Sequence, residues 1–119
     1  MNLSYKTPIV SVSFIIVTAL ALSCIPRKSL SEAEAHLDRG VSFAKQGRYS
    51  EAESEFREAI RINPDLAEAH ASLGFLLAEQ GRHREARAEL ERTAELFEKQ
   101  GNYEMADVIR TFLKELPKD

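Results

Sequence analysis

Apolar residues recur at helical intervals through most of the chain after residue 30. In segment 49–62 they stand three or four positions apart or side by side, along one face of a helix: Ala52, Phe56, Ala59 and Ile60. Near the C-terminus six more follow the i, i+3, i+4, i+7, i+8, i+11 pattern of a broad amphipathic face: Met105, Val108, Ile109, Phe112, Leu113 and Leu116. The pattern predicts helices at about 31–46, 49–62, 66–80, 83–98 and 102–115.

Glycine and proline mark where these helices end. Gly47 and Gly81 stand where a first helix would stop in a left-handed cap residue, a conformation that glycine adopts without strain. Pro64 ends the second helix, and Asp65 with Glu68 fits a capping box that would start the third. The same region is rich in Ala, Glu, Arg and Leu and poor in β-branched residues, so we expect an all-α body.

One six-residue stretch occurs three times. It reads GRYSEA from Gly47, GRHREA from Gly81 and GNYEMA from Gly101, so the first two copies start 34 residues apart and the last two 20. Aligned at a spacing of 34, segments 33–66 and 67–100 both open with AEAH and match at several glycines and alanines. The chain therefore contains two full copies of one unit, followed by part of a third.

The two copies resemble the tetratricopeptide repeat, which has this period. Its signature positions in the first copy hold Gly40, Phe43, Gly47, Tyr49, Ala52, Phe56, Ala59 and Pro64. In the second copy they hold Leu73, Gly74, Leu77, Gly81, His83, Ala86 and Leu90. The chain departs from the family pattern at Arg39, Thr93 and Glu98. The resemblance implies two helix hairpins in a short right-handed α-solenoid.

Two glycines fall inside predicted helices, where glycine costs about 1 kcal/mol relative to alanine. Gly40 and Gly74 occupy equivalent places in the two copies. We expect them where a neighbouring helix comes too close for a side chain, with Ala52 and Ala86 as the facing surfaces. Stacked repeats also leave an open apolar end, so the helix at 102–116 is expected to cap it. Its broad face would equally serve a partner.

Composition narrows the possible chemistry. The net charge is −3, and Arg and Lys alternate with Glu along the helices, so no basic cluster suited to nucleic acid is present. His36 and His70 are equivalent residues expected to pack within their hairpins, and no Cys or second His lies at ligand spacing. There is no phosphate-binding glycine loop and no catalytic motif. We expect no enzyme activity, no cofactor and no metal.

The N-terminus reads as a secretory signal. Lys6 precedes an apolar run at 9–22, which is followed by Ser23 and the only cysteine, Cys24. The sequence LALSC resembles the lipobox of bacterial lipoproteins. That resemblance implies removal of residues 1–23, acylation of Cys24, a linker at 24–30 and a folded domain at 31–116. Two or three acyl chains hold a protein stably to a bilayer.

Two other interpretations of this segment stay open. Residues 7–26 carry no charge and are just long enough for one uncleaved membrane-spanning helix. Alternatively, Cys24 is an ordinary small residue in the signal of a secreted protein. The lipoprotein interpretation places the protein in a bacterial cell envelope, and Ile25 after the cysteine implies by resemblance the outer membrane facing the periplasm.

In tetratricopeptide proteins the first helix of each hairpin lines a concave groove. By position, the groove in the first copy comprises Leu37, Asp38, Val41, Ala44 and Lys45. In the second copy it comprises Ala71, Ser72, Phe75, Ala78 and Glu79. This mixture suits an extended or helical apolar segment of a protein partner. We expect a membrane-anchored adaptor or, alternatively, a structural subunit that forms a homo-oligomer or a larger complex through the face at 102–116.

Overall fold

The computed structural model describes residues 27–118, with side chains from residue 29 onward. Five α-helices make up this part of the chain, which contains no strand: α1 Arg27–Lys45, α2 Tyr49–Ile62, α3 Ala67–Glu79, α4 His83–Lys99 and α5 Tyr103–Glu115. The predicted signal 1–23 and the lipidation site Cys24 lie outside the described residues.

The helices form two antiparallel hairpins and one additional helix. α1 packs against α2, α3 packs against α4, and the hairpins stack through contacts of α3 with both α1 and α2. α5 then packs on α4. The fold is all-α, and the prediction of two hairpins followed by a C-terminal helix is confirmed.

The first helix begins earlier than predicted. It starts at Arg27 rather than at residue 31, so residues 27–30 of the predicted linker belong to it. The apolar stripe of α1 explains the longer helix, because Leu30 is half-buried and Ala33 is fully buried one turn later. Leu37, four residues further, continues the same stripe onto the core. The other four helices begin and end within one residue of the predicted bounds.

The three copies of the repeated stretch are three copies of one turn. Gly47, Gly81 and Gly101 have φ values of 73°, 76° and 80°, the left-handed region that side chains disfavour. After each glycine the next amide donates to a carbonyl five residues earlier, with N···O distances of 2.9, 2.9 and 2.8 Å. This is the Schellman arrangement, which satisfies carbonyl groups at a helix end. The spacing of 20 arises because α4 ends in this turn as well.

The glycines inside α1 and α3 permit close helix packing, as predicted, but their facing residues differ from the prediction. A Cβ at Gly40 would lie 2.5 Å from Cε1 of Phe56, and one at Gly74 would lie 2.7 Å from Cγ of Leu90. At Gly74 the carbonyl oxygen of Ala86 is the third-nearest atom, at 3.4 Å. Large side chains therefore fill the spaces that the glycines leave.

The predicted capping box at the start of α3 is wrong. The helix begins after Leu66, and no side chain accepts a hydrogen bond from its first turn. Instead, the Asp65 amide donates to Oδ1 of Asn63 at 3.2 Å, which closes the turn between the hairpins. An asparagine side chain stabilises such a turn by replacing a backbone carbonyl as acceptor. Asn63, the residue before Pro64, therefore stabilises the turn in which the chain reverses direction between α2 and α3.

The C-terminal helix covers the exposed side of α4 with only part of its predicted face. Ile109, Leu113 and Leu116 are buried together with Ala106, but Met105 and Val108 are 40% and 56% exposed. The expectation of one broad buried face is therefore corrected: α4 offers a single helix as support, and a single helix covers only a narrow stripe. Phe112 is half-buried and points toward α3.

Polar contacts hold both ends of α5. At its start, Oδ1 of Asn102 accepts a hydrogen bond from the Met105 amide at 3.2 Å. At its end, the Arg87 guanidinium on α4 donates to the carbonyl oxygens of Leu113 at 3.2 Å and Leu116 at 2.9 Å. A cation at a helix C-terminus satisfies free carbonyl groups and complements the helix dipole. Arg87 therefore fixes where the last turn of α5 lies.

Candidate functional site

Two clefts open on the side of the molecule formed by α1, α3 and α5. The first, the α1/α3 cleft, has a volume of about 220 Å³. Its lining comes from the first helix of each hairpin and from the core beneath: Val41, Ala44, Lys45, Phe56, Ser72, Phe75, Leu76 and Glu79. Most of these side chains are apolar, and the two charges are opposite in sign.

The second, the α3/α5 cleft, is larger, with a volume of about 470 Å³. It lies between α3, the start of α4 and the C-terminal end of α5, and is lined by Phe75, Ala78, Glu79, His83, Phe112, Glu115, Leu116 and Pro117. This volume is within the range of sites that bind small ligands or single side chains.

Phe75 connects the two clefts. It lines both of them and is 38% exposed, unusually accessible for a large apolar residue in the middle of a helix. Its ring meets that of Phe112 edge to face, with centroids 5.0 Å apart and an interplanar angle of 75°. Such pairs are favourable beyond the area they bury. The two rings form a continuous apolar surface from α3 to α5.

The structure divides the ten predicted groove residues into four groups. Val41, Ala44, Lys45 and Ser72 line the α1/α3 cleft, whereas Ala78 lines the α3/α5 cleft. Phe75 and Glu79 line both. The remaining three, Leu37, Asp38 and Ala71, line neither of these clefts: Leu37 packs on the core, Ala71 is half-buried and Asp38 is exposed. Leu37 and Asp38 lie about one turn nearer the N-terminus of α1 than Val41, and Ala71 directly precedes Ser72 on α3.

Five lining residues of the α3/α5 cleft are not among the predicted groove residues. Phe112 and Leu116 belong to the predicted cap, whereas His83, a signature position of the second repeat copy, has no predicted binding role, and neither do Glu115 and Pro117. The sequence does contain a relevant signal, because Phe112, Glu115 and Leu116 are spaced i, i+3, i+4 on one side of α5. That signal does not say which helix the side faces.

A network of ion pairs lies outside both clefts. Arg82 donates to Glu53 at 2.8 Å and pairs with Glu85 at 2.7 Å, and Arg57 reaches the same two carboxylates at 2.8 and 3.5 Å. Burial alone would raise the pKa of Glu53, but the hydrogen bonds from Arg57 and Arg82 lower it below its usual value. This closed network joins α2 of the first hairpin to the start of α4.

In contrast to the paired Glu53 and Glu85, the two carboxylates that line the α3/α5 cleft are unpaired within the part of the chain that the structure describes. Across residues 29–118, no side-chain hydrogen bond or ion pair involves Glu79 or Glu115, and both side chains are exposed. In the α1/α3 cleft, Lys45 supplies a charge of opposite sign to that of Glu79. The α3/α5 cleft therefore combines apolar walls with two free negative charges at its rim.

The two equivalent histidines occupy equivalent contacts, as predicted for hairpin packing. Nδ1 of His36 lies 2.5 Å from Oε2 of Glu55, and Nδ1 of His70 lies 2.7 Å from Oε2 of Glu89, each on the second helix of the same hairpin. The buried His70 also places Nε2 2.8 Å from the Pro64 carbonyl oxygen. Only the protonated ring can donate to both acceptors.

The stability of the protein should therefore decrease as the pH rises above about 6.5, the usual pKa of histidine. Burial and the Arg92 charge would lower the pKa of His70, but the bonds to Glu89 and Pro64 raise it above that value. A raised pKa in the folded state stabilises fully below the unfolded pKa, and the contribution is lost as pH rises through the folded pKa.

Melting temperatures measured from pH 5.5 to 8.5 should show this decrease, and His70→Gln should flatten it. A neutral glutamine has an ordinary amide donor at every pH and so cannot lose a proton in this range. A variant that keeps the full wild-type pH dependence would contradict the assignment to His70.

The described residues contain no group of three or more His, Cys, Asp or Glu arranged to hold a metal ion. Between residues 27 and 118, none of the helices combines the length and the apolar character that crossing a bilayer requires. What this part of the chain does offer is an open, largely apolar surface with a few charges. Exposed apolar surfaces of this kind mark interaction or ligand-binding sites.

Comparison with known proteins agrees with this architecture. A family described as TPR repeat matches residues 40–81, from the middle of α1 through α2 and α3 to the glycine of the second turn. No curated protein matches the chain. Tetratricopeptide repeats generally mediate protein–protein interaction and generally serve as scaffolds rather than enzymes. The all-α architecture of stacked helix hairpins and the match over residues 40–81 are consistent with a tetratricopeptide-repeat solenoid.

Proposed function

We propose that this protein is an adaptor that binds a segment of another protein across the two clefts. The observation that carries the proposal is Phe75, an exposed aromatic ring at the junction of two apolar clefts on the face formed by α1, α3 and α5. Aromatic side chains in such positions commonly supply much of the binding energy at protein interfaces. An extended segment laid across α3 would place side chains in both clefts.

The proposal includes an anchor in a bacterial cell envelope. It rests on the sequence of the first 24 residues, where a charged start, an apolar run and the LALSC stretch end at Cys24. Acylation of Cys24 would hold the clefts close to the membrane, facing the periplasm if the anchor is in the outer membrane. The adaptor would then recruit its partner for assembly of an envelope complex.

Cys24→Ser should abolish lipid attachment and leave an unprocessed precursor, because a hydroxyl oxygen is a much weaker nucleophile than a thiolate. Metabolic labelling with a radioactive fatty acid and gel mobility measure both effects. Ser23→Ala is the matched control, since it keeps a small residue beside an intact cysteine and should be processed normally. Identical migration of wild type and Cys24→Ser, with no label on either, would favour a spanning or cleaved unlipidated segment.

A second function has an observation of its own. Met105 and Val108 lie one turn apart on the outer surface of α5 and are 40% and 56% exposed. An apolar strip at the end of a solenoid is where a further repeat would stack. The alternative is therefore a structural subunit that oligomerises, or completes a larger complex, through α5.

The oligomeric state distinguishes the two functions. Size-exclusion chromatography with light scattering on residues 25–119 should give the monomer mass if the protein is an adaptor. A stable dimer or higher oligomer that dissociates in Val108→Asp would instead support the subunit.

A further inference from the structure

We propose that the α3/α5 cleft is a specificity subsite for a bulky apolar side chain that has a lysine or arginine next to it in the partner's sequence. The inference rests on the proposed function and goes beyond it, because it defines which segment the groove would select. It also gives α5 a role in binding, whereas a cap only covers apolar surface. Size, charge and rigidity each support it.

The size and lining of the cleft fit one large side chain. Phe75 and Phe112 supply an aromatic wall, and Ala78, Leu116 and Pro117 supply the aliphatic remainder. The volume of about 470 Å³ exceeds what one aromatic or leucine side chain fills, so the neighbouring atoms of the segment would also enter. The α1/α3 cleft, with about 220 Å³, is the smaller of the two.

The charge at the rim determines the neighbouring residue. Glu79 and Glu115 have no partner within the described part of the chain, although most glutamates of α2 and α4 are paired with arginine or histidine. A Lys or Arg beside the apolar anchor would face both carboxylates. The α1/α3 cleft is lined by one cation, Lys45, and one carboxylate, Glu79, whereas, among the described residues, the α3/α5 cleft is lined by two carboxylates and no Lys or Arg, so the preference for a basic residue is assigned to the α3/α5 cleft.

The wall contributed by α5 is fixed before any partner binds. Arg87 holds the carbonyl oxygens of Leu113, Leu116 and Pro117, with distances of 3.2, 2.9 and 3.4 Å, so the end of α5 is tied to α4. An ion pair between Glu98 and Arg110 joins the same two helices elsewhere. A preformed wall reduces the conformational entropy lost on binding.

The test is a selection followed by measured affinities. Full-length protein in detergent micelles is immobilised and exposed to a phage-displayed library of random heptapeptides. Enriched sequences should pair Phe, Tyr, Leu, Ile or Met with an adjacent Lys or Arg. The strongest peptide is then synthesised with a fluorescent label, together with a version in which serine replaces the basic residue, and both are titrated at low and physiological salt.

The variants separate the two contributions. Phe112→Ala should weaken binding of the parent peptide about tenfold or more, as expected for an aromatic anchor. The double change Glu79→Gln with Glu115→Gln should weaken it about two- to tenfold at low salt and remove the advantage over the serine peptide. Glu91→Gln, an exposed glutamate of α4 outside both clefts, should change nothing. Circular dichroism confirms that every variant is folded.

Each outcome has one meaning. Binding that is lost in Val41→Asp but unchanged in Phe112→Ala and in the double variant would keep the proposed groove and overturn the subsite. Enrichment of acidic or uncharged sequences would overturn it too. A library that yields no peptide sensitive to any of these changes would overturn both the subsite and the adaptor function.

Discussion

Leu113→Asp should remove a large part of the stability of the folded body. Leu113 on α5 is 8% exposed and packs, with Ile109 and Leu116, into the core on the side of α5 that faces α4. Truncating a buried leucine costs about 2–5 kcal/mol, and an unpaired buried carboxylate adds to that unless it is protonated. Domains have only about 5–15 kcal/mol of stability in total. Urea unfolding followed by circular dichroism should show a much lower midpoint.

Val108→Asp is the matched control for this change. It introduces the same charge five residues earlier on the same helix, but Val108 is 56% exposed, so the effect on a monomer should stay within about 0.5 kcal/mol. A Leu113→Asp variant as stable as wild type would mean that α5 is not packed on α4. A large loss in Val108→Asp alone would mean that a partner or a second copy covers the outer face.

Gly74→Ala and Leu90→Ala should each destabilise the protein, and the double variant should cost less than their sum. The Cβ of an alanine at position 74 would meet Cγ of Leu90 at 2.7 Å, and Cγ is too near the backbone to move freely. Overpacking costs about 1–3 kcal/mol, partly offset by about 1 kcal/mol from higher helix propensity. Leu90, which is 0% exposed, should cost about 2–5 kcal/mol when truncated.

The double variant should lose less stability than the sum of the single variants because the cavity left by Leu90→Ala accommodates the methyl group at position 74. A coupling energy of about 1 kcal/mol or more is expected, a size typical of side chains in direct contact. Gly81→Ala provides the control: no atom lies within 4 Å of its Cβ position, and its penalty comes only from a φ of 76°. Its effect should add to that of Leu90→Ala. If the effects of Gly74→Ala and Leu90→Ala are additive, as those of Gly81→Ala and Leu90→Ala should be, the close contact between α3 and α4 is contradicted.

Local signals in the sequence predicted most of the fold. Gly47, Gly81 and Gly101 mark helix ends because their backbone conformation is set by neighbours within five residues. The capping box was predicted wrongly because Asn63 and Asp65 can both stabilise this turn, and only the folded geometry selects Asn63. The start of α1 was missed because Leu30 becomes half-buried only once α1 packs on the rest of the fold.

The candidate site was less predictable because it depends on how α5 is rotated. The apolar pattern placed Phe112 and Leu113 on one broad face, yet the structure directs Leu113 into the core and Phe112 toward Phe75. That division follows from Arg87 and the packing on α4, which link residues 26 or more positions apart. Periodicity identifies a face, but tertiary contacts decide which part of it stays open.

Site-specific photo-crosslinking in intact cells tests the adaptor function most directly. A photoreactive amino acid is placed at one position at a time. Two positions, Ser72 and Ala78, lie in the α1/α3 and α3/α5 clefts, respectively. The other two are exposed and lie outside both clefts: Arg61 on α2 and Val108 on the outer face of α5. We predict one common adduct from the two cleft positions, lost when Phe75→Ala is added, and none from the α2 position. Equal adducts from all positions, or only a self-adduct from position 108, would contradict the adaptor.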